Sequence, residues 1–432
     1  MNISFEIVRR RKILLAASLL IAAVVIFQAG ELWLANHRLD SNNLGLMERG
    51  AALVPGDGSG WDRIGLLRQG DFVNPDPDHA VTDFQKAVHD DPLSAHYWMD
   101  LASAYEAVGD AVRARDAFTQ AKSVYPVSAE VAFHYGNFLL REQKYSEAYG
   151  EFQQAARTDP NLLPLVISRT WRSSEDVNDL LNRALPANED AYLQALDFFA
   201  SIQQVQPALA VWQRLLALRK PFPLSRAFPF FEDLIREDRS YDARREWPEA
   251  LAAAGLPHDS PANNSLVWDG NFEADFENGG LGWRWTPLTG TMIDFDSDPA
   301  PNGSRAVRLD FNGGSNLALV EPSQFVPAEP NRSYHFHVYM RTQEITTESG
   351  VRFSITDANH TGAVNLLTEN FTGSRTWTSV DADLSTGPET HFLFVRLIRD
   401  PSRLFDNKLS GTVWIADVSL VPNSIQTGQP SR

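Results

Sequence analysis

The chain repeats one pattern three times: residues 80–92 read AVTDFQKAVHDDP, residues 114–126 read ARDAFTQAKSVYP and residues 148–160 read AYGEFQQAARTDP. Each segment has Ala, Phe, Ala and Pro at its first, fifth, eighth and last positions, so the period is 34 residues (84, 118, 152). This period predicts a solenoid of stacked pairs of antiparallel helices. Small Ala lets neighbouring helices approach, Phe fills the space between them, and Pro ends the second helix.

The residues before the second and third segments fit the first helix of such a pair. Trp98, Leu101, Ala102 and Tyr105 precede the second segment, and Tyr135, Gly136 and Leu139 precede the third. This combination resembles the tetratricopeptide repeat. The third copy departs from that motif at Ala132, where an aromatic residue is expected, and has Tyr135 in the Leu position.

Weaker copies of the second-helix spacing continue towards the middle of the chain. They are Val177, Leu181 and Ala184, then Ala208, Trp212 and Leu215, then Ala243, Trp247 and Ala250. We therefore expect a helical solenoid over 61–256, with clear repeats in 80–160. Residues 35–60 are polar and Gly-containing and are predicted to form a linker, and the polar run 258–261 marks the end of the solenoid.

The N-terminus has a basic cluster followed by an apolar run. Four cations at 9–12 precede a run from Ile13 to Phe27, and its extension to Gly30 would give roughly 27 Å of helix. We predict a cytoplasmic tail at 1–12 and an uncleaved transmembrane anchor at 13–34, in the inner (cytoplasmic) membrane with the remainder on the extracytoplasmic side. A cleaved signal peptide is the alternative, although the possible cleavage sites after Ala29, Gly30 and Ala35 have Phe27, Gln28 and Trp33 at −3, where a small residue is required.

From Ser265 onwards the apolar pattern has a period of two, which is typical of half-buried strands. The alternating runs are 306–311, 333–340, 351–355, 391–397 and 413–418. We expect eight or nine antiparallel strands forming a β-sandwich (jelly roll) over 265–422, and a disordered tail at 423–432. The predicted fold class is multidomain, α then β.

The β region opens with Asp269-Gly270-Asn271-Phe272-Glu273 and closes with Trp414-Ile415-Ala416-Asp417-Val418-Ser419-Leu420. With Gly282-Trp283 and Trp377 between them, this order resembles carbohydrate-binding modules of the galactose-binding-like superfamily. The resemblance implies a structural calcium held by Glu273 and Asp417 with backbone carbonyls; ordinary strand-end carboxylates are the alternative. It also implies a glycan site, for which the candidates are Trp285, Phe371, Arg341, Asn365 and Glu369.

The tetratricopeptide resemblance implies a groove lined by the second, fifth, ninth and twelfth residues of each first helix. Counted from Ala95 and Ala129, the predicted protein-binding residues are His96, Met99, Ser103, Glu106, Glu130, Phe133, Asn137 and Leu140. The set lacks the paired Lys and Arg that clamp peptide C-termini, so an apolar or mixed peptide, or a helix, suits it better. A solenoid that only spaces the β region from the membrane is the alternative.

Composition and motifs narrow the function. A net charge of −17 and a pI near 5.0 argue against nucleic-acid binding, and the absence of Cys excludes disulfides and cysteine nucleophiles. The sequence carries no hydrolase, phosphate-loop or dinucleotide motif. The pairs Asp294/Asp296 and Asp381/Asp383 have the spacing expected of solvated carboxylates. We therefore expect no catalytic residues.

We expect a non-catalytic envelope protein that binds a protein through its repeats and a glycan through its jelly roll, in surface polysaccharide assembly or export. A pure protein-interaction scaffold, or an accessory subunit of a carbohydrate-active enzyme, is the alternative.

Overall fold

The computed structural model describes residues 2–41, 43–70, 75–257, 264–296 and 300–423, with side chains from residue 11 onwards. The chain folds into two compact units, Met1–Pro186 and Ala187–Arg432. The predicted solenoid end at 258–261 and most of the predicted tail at 423–432 lie outside the described residues.

Within its described residues, the first unit contains helices joined by turns and no β-strand. Its helices are α1 (Asn2–Leu39), α2 (Leu44–Ala51), α3 (Ser59–Gln69), α4 (Pro77–Asp90), α5 (Ala95–Ala107), α6 (Ala111–Val124), α7 (Ala129–Arg141), α8 (Tyr145–Thr158), α9 (Leu163–Ser174) and α10 (Val177–Asp179). Within α1, the segment Arg11–Leu39 is long and apolar enough to cross a membrane, and none of its most apolar window is buried against protein.

The helices α3 to α8 form three consecutive pairs, which confirms the predicted solenoid. α3 packs with α4, α5 with α6, and α7 with α8. The repeated Ala and Phe positions all lie in the interior, with at most 3% of any of them exposed: Ala80, Phe84, Ala87, Ala114, Phe118, Ala121, Ala148, Phe152 and Ala155. The second helices end two residues before Pro92, Pro126 and Pro160, as a residue without a backbone N–H requires.

Polar residues at the helix starts set the boundaries of these pairs. Asp76, Ser94, Asp110 and Ser128 each accept a hydrogen bond from the backbone N–H three residues later, at 2.9–3.4 Å. These N-caps satisfy donors that the first turn of a helix leaves without partners.

The spacing at 177–184 predicted a second helix, and this prediction is wrong in its length. The α-helix α10 covers only Val177–Asp179 and continues as a single π-helical turn, Leu180–Ala184, closed by a 2.9 Å hydrogen bond from Leu185 N to Leu180 O. The segment is short because Glu175 has a left-handed backbone (φ 51°) and Pro186 follows the turn closely. Leu181 and Ala184 are nevertheless buried.

In the part of the chain that the structure describes, the second unit combines four α-helices with the β-strands. The helices are α11 (Glu189–Ser201), α12 (Val205–Ala217), α13 (Phe228–Arg236) and α14 (Ser240–Ala253). Trp212 and Trp247, predicted as second-helix core residues, are fully buried and contact Phe231 edge to face. The sequence analysis placed a domain boundary near 256–265, whereas the contacts group α11–α14 with the sheets.

Specific polar contacts join these helices to the β region. Arg284 forms an ion pair with Glu232 of α13 at 2.7 Å, and Asn359 Nδ2 donates to Ile235 O at 2.8 Å. Ser240 Oγ at the start of α14 donates to Ala328 O at 3.3 Å.

Within the described residues, nine strands form two antiparallel sheets, which confirms the predicted β-sandwich. The strands are β1 (Thr291–Asp296), β2 (Ala306–Asn312), β3 (Ser323–Pro327), β4 (Ser333–Ile345), β5 (Arg352–Asp357), β6 (Asn365–Leu367), β7 (Gly373–Ser385), β8 (Phe392–Ile398) and β9 (Ser410–Pro422). One sheet has the order β1-β2-β9-β4-β7 and the other β3-β8-β5-β6. Alternate residues of β4, such as Phe336 and Val338, are fully buried in the shared core.

Candidate functional site

The side chains of α3, α5 and α7, the first helices of the three pairs, meet along one surface that we call the first-helix face. Two contacts across neighbouring helices define it. Gln69 Nε2 of α3 donates to Ser103 Oγ of α5 at 3.3 Å, and Arg141 Nη2 of α7 donates to Glu106 Oε2 of α5 at 2.7 Å. Residues 34 or 35 apart in the sequence therefore lie side by side, as in stacked repeats.

The eight predicted groove residues differ in their accessibility. His96, Ser103 and Glu130 are exposed, Glu106, Phe133, Asn137 and Leu140 are half-buried, and Met99 is buried. Phe133 packs against Phe152 with ring centroids 5.7 Å apart, and Asn137 Nδ2 donates to Phe133 O at 2.9 Å. Of these residues, the three exposed ones are the best placed to contact a partner.

A cluster that the sequence analysis missed lies on this face. Asp62 of α3 and His96 and Asp100 of α5 bring one ligand atom each within 4.8 Å of the others. Asp62 is 7% exposed, and its Oδ1 has no hydrogen-bond partner. Asp100 Oδ2 is also buried without a hydrogen bond, although it lies 3.3 Å from His96 Nε2. The sequence does contain a signal for part of this cluster. Asp62, His96 and Glu130 are spaced 34 residues apart, so they occupy the same position in successive repeats.

Burial and like charge both act on this cluster. Burial, followed by repulsion from the neighbouring Asp62 carboxylate, raises the pKa of Asp100 to about 7. Burial also raises the pKa of Asp62. The two carboxyl groups thus favour a state with a shared proton or a bound cation over a state with two negative charges.

This arrangement predicts that Asp100→Asn changes the pH dependence of stability. The pKa of Asp100 in the folded chain is about 7, which is above the usual value of 3.8. Protonated Asp100 therefore contributes fully to the free energy of unfolding below about pH 4, and this contribution is lost as the pH rises through about 7. We expect the Asn variant to be more stable than the wild type at pH 8, by on the order of 2 kcal/mol, and nearly equal at pH 4. Urea unfolding of the full chain in metal-free detergent buffer measures the difference. Asp116→Asn, at an exposed carboxylate of α6, is the control; parallel profiles for wild type and Asp100→Asn would contradict the prediction.

The predicted glycan residues do not form one site. Phe371 is completely buried, so its ring cannot stack on a sugar, and the prediction for this residue is corrected. Glu369 pairs with Arg375 at 3.2 Å, and the Arg375 guanidinium lies over the Phe371 ring. Asn365 is exposed on β6 of the four-stranded sheet, and Trp285 is half-buried against the core.

Arg341, the fifth predicted glycan residue, lies instead on the outer face of the five-stranded sheet. Its guanidinium is 4.4 Å from the centre of the Trp414 ring, and half-buried Tyr339 and Trp377 pack against the same small cluster. We call Arg341, Tyr339, Trp377 and Trp414 the outer-sheet patch. Beside it, His335 Nδ1 contacts Asp383 at 2.9 Å and His337 Nδ1 contacts Asp381 at 2.8 Å.

The two predicted calcium ligands line one cavity of about 620 Å³. Asp269 and Glu277 also line it; burial raises their pKa values to about 6 and about 7. However, Glu273 Oε1 accepts a hydrogen bond from Asn271 Nδ2 at 2.5 Å, and Asp417 Oδ2 lies 3.9 Å from His337 Nε2.

The backbone carbonyls near this cavity already have a cationic partner. Arg305 Nη1 donates to Phe272 O at 3.4 Å and to Glu273 O at 3.3 Å. A calcium ion needs six or more oxygen ligands, so Glu273 and Asp417 would have to be joined by several carbonyls or waters. The calcium site stays a prediction.

No protein-family model and no curated protein matches the chain. Among solved structures, it is similar to MamA at 15% identity, covering 40% of this chain and 85% of MamA, with a TM-score of 0.26. It is similar to the first TPR of Spaghetti (RPAP3) bound to an HSP90 peptide at 18% identity, covering 28% and 94%, with a TM-score of 0.25. It is also similar to PilF of Pseudomonas aeruginosa at 19% identity, covering 46% and 77%, with a TM-score of 0.24.

The helix pairs and sheets on their own define the class of protein. The chain combines stacked pairs of antiparallel helices with a 34-residue period and an antiparallel β-sandwich. One N-terminal helix is a candidate for a membrane span.

Proposed function

We propose that this chain is a non-catalytic scaffold, anchored in the inner membrane by α1, whose first-helix face binds a segment of a protein partner. The observation that supports this proposal is the accessible row on α5 and α7, where His96, Ser103 and Glu130 are exposed. Helical repeats of this type place such residues on a surface that neighbouring units extend. The basic cluster at 9–12 favours a cytoplasmic N-terminus and an extracytoplasmic location for the folded units.

The charge on this face selects the partner. Exposed Glu130 lies near the carboxyl groups of Asp62 and Asp100, and the only basic side chain that contacts these two within the described residues is the imidazole of His96. A partner segment with Lys or Arg side chains complements this acidic end of the face, whereas an acidic segment is repelled.

Selection of random peptides against the full chain in detergent micelles tests this proposal. We expect the enriched peptides to carry Lys or Arg, and we expect Ser103→Trp and Glu130→Lys to weaken their binding at least tenfold, because one fills the face and the other reverses a charge. Val112→Lys, at a side chain 74% exposed on α6, is the control that should bind as the wild type does. Equal binding by all the variants, or enrichment of acidic peptides, would exclude the first-helix face as the binding surface.

A second candidate function is glycan binding by the β-sandwich. The outer-sheet patch favours it, because half-buried Tyr339 and Trp377 offer aromatic surface next to hydrogen-bonding His and Asp side chains. Aromatic faces beside polar groups are typical of sugar-binding surfaces. A glycan bound there fits a role in surface polysaccharide assembly or export.

Binding of the full chain to purified envelope polysaccharides, with calcium and then with chelator, tests this candidate. We expect Tyr339→Ala and Trp377→Ala to reduce binding at least fivefold, with no change for Phe405→Ala, an exposed aromatic residue in a loop. The same samples test the predicted calcium site: a thermal unfolding midpoint that chelation lowers in the wild type but not in Glu273→Gln would support it, and an unchanged midpoint in the wild type would reject it. Uniform glycan binding by all the variants would reject the outer-sheet patch.

A further inference from the structure

The cluster of Asp62, His96 and Asp100 has the composition and spacing of a metal site. His96 and Asp100 are four residues apart on α5, so their side chains project from the same helix face. Asp62 reaches them from α3, the first helix of the preceding repeat. The three ligand atoms lie within 4.8 Å of one another.

Two observations make this cluster a candidate for a bound cation, the alternative being a proton shared by the two carboxyl groups. Asp62 is more than nine-tenths buried, and its Oδ1 has no hydrogen-bond partner. Asp100 Oδ2, facing the same space, is buried and also has no hydrogen bond. Buried carboxylate oxygens without partners are costly, and within the described residues neither group forms an ion pair with Lys or Arg.

We propose that Asp62, His96 and Asp100 bind one divalent transition-metal ion, for which Zn²⁺ is the test ion. The 3.3 Å between His96 Nε2 and Asp100 Oδ2 matches the separation of about 3.3–3.6 Å between two ligands of a tetrahedral ion with bonds of about 2.0–2.2 Å. One imidazole with two carboxylates suits Zn²⁺ and its neighbours in the first transition row. Ca²⁺ and Mg²⁺ prefer ligand sets made of oxygen alone.

The ion would link two repeats and remain partly accessible. Its ligands come from α3 and α5, so binding joins the first helices of the first and second pairs. Three protein ligands leave one tetrahedral position open, and His96 is the exposed member of the set. Water, or a side chain of a bound partner, would occupy that position. This proposal does not depend on the proposed protein-binding function, since the metal ligands are supplied by the chain alone.

Calorimetric titration of the metal-stripped full chain in detergent micelles with ZnCl₂ tests the proposal. We expect one tight site per chain, weakened at least tenfold by Asp62→Asn, by Asp100→Asn and by His96→Ala. The Asn variants keep all ten His residues, so weaker binding in them cannot come from the loss of a surface imidazole. His79→Ala is the matched control, because His79 forms an exposed pair with Asp76 at 2.8 Å on a different helix.

Two further measurements separate a metal site from a change in folding. Co²⁺ should give the intense visible spectrum of a tetrahedral ion with the wild type and with His79→Ala, but not with Asp100→Asn. Zn²⁺ should raise the thermal unfolding midpoint of the wild type and not that of Asp100→Asn, while the metal-free variant keeps its helical circular dichroism. Zn²⁺ binding that survives both Asn substitutions but not His96→Ala would identify an isolated surface histidine and overturn the proposal. Equal binding by all the variants, or no binding by the folded wild type, would overturn it as well.

Discussion

Phe152→Ala is expected to destabilise the helical repeats by about 3–5 kcal/mol, the usual cost of removing a fully buried Phe from a core. Phe152 is 0% exposed and is the third copy of the repeated Phe position. Its ring lies against Gly136 of α7 so closely that a Cβ added to that glycine would come within 2.7 Å of it. Because the helices meet at this close contact, a cavity left by Phe152 cannot be filled by a small side-chain shift.

Urea unfolding of the full chain in detergent, followed by helical circular dichroism, measures this loss. Hydrogen exchange of peptides from α7 and α8 should locate it, with faster exchange in those two helices. Tyr125→Ala is the control, since Tyr125 is an aromatic residue of the same repeats but is 55% exposed. If Phe152→Ala and Tyr125→Ala had similar effects, the repeat period would not mark the core of this region.

Periodicity explains which parts of the fold could be predicted from the sequence. The 34-residue period placed Phe84, Phe118 and Phe152 in the interior, and the period of two placed Phe336 and Val338 there. Equivalent positions in successive repeats have the same surroundings, so they favour the same residue types. The pattern is therefore visible even where individual residues vary. The helix pairs and the sandwich were predictable for this reason.

A contact that occurs only once in the structure leaves no repeated pattern in the sequence. The grouping of α11–α14 with the sheets depends on single pairs such as Arg284 with Glu232, which no spacing predicts. The sequence places Phe371 in a sugar site because of its residue type, but the ring lies in the sandwich core with residues distant in sequence, such as Val351, with which it forms a β-bridge. The cluster of Asp62, His96 and Asp100 could be predicted only in part. The 34-residue period aligns Asp62 with His96, but only the structure shows that Asp100 lies beside them.

Arg399 is the strongest example of an interaction without a sequence signal, and Arg399→Ala is expected to destabilise the β-sandwich by about 3–5 kcal/mol. The residue is 1% exposed, and burial lowers its pKa. Its guanidinium donates to groups in three separate loops: Asn316 Oδ1 at 2.9 Å, Leu317 O, Thr347 Oγ1 at 3.3 Å, Ser349 O at 2.9 Å and Asn407 O at 3.3 Å. Truncation removes all these bonds and leaves half-buried acceptors such as Leu317 O without the guanidinium donor. Each acceptor that loses its donor costs about 1–3 kcal/mol before relaxation and water entry reduce the total.

The choice of variants separates the hydrogen bonds of Arg399 from its charge. Arg399→Lys keeps the charge but lacks the planar fork of donors, so it should recover less than half of the lost stability. Arg403→Ala, at an exposed arginine four residues later, should change stability by about 0.5 kcal/mol or less. Thermal unfolding of the full chain, with hydrogen exchange of the peptides that contain residues 315–317 and 347–349, measures these effects. Full recovery by Lys would show that charge alone holds the three loops, because only the charge is common to the two side chains.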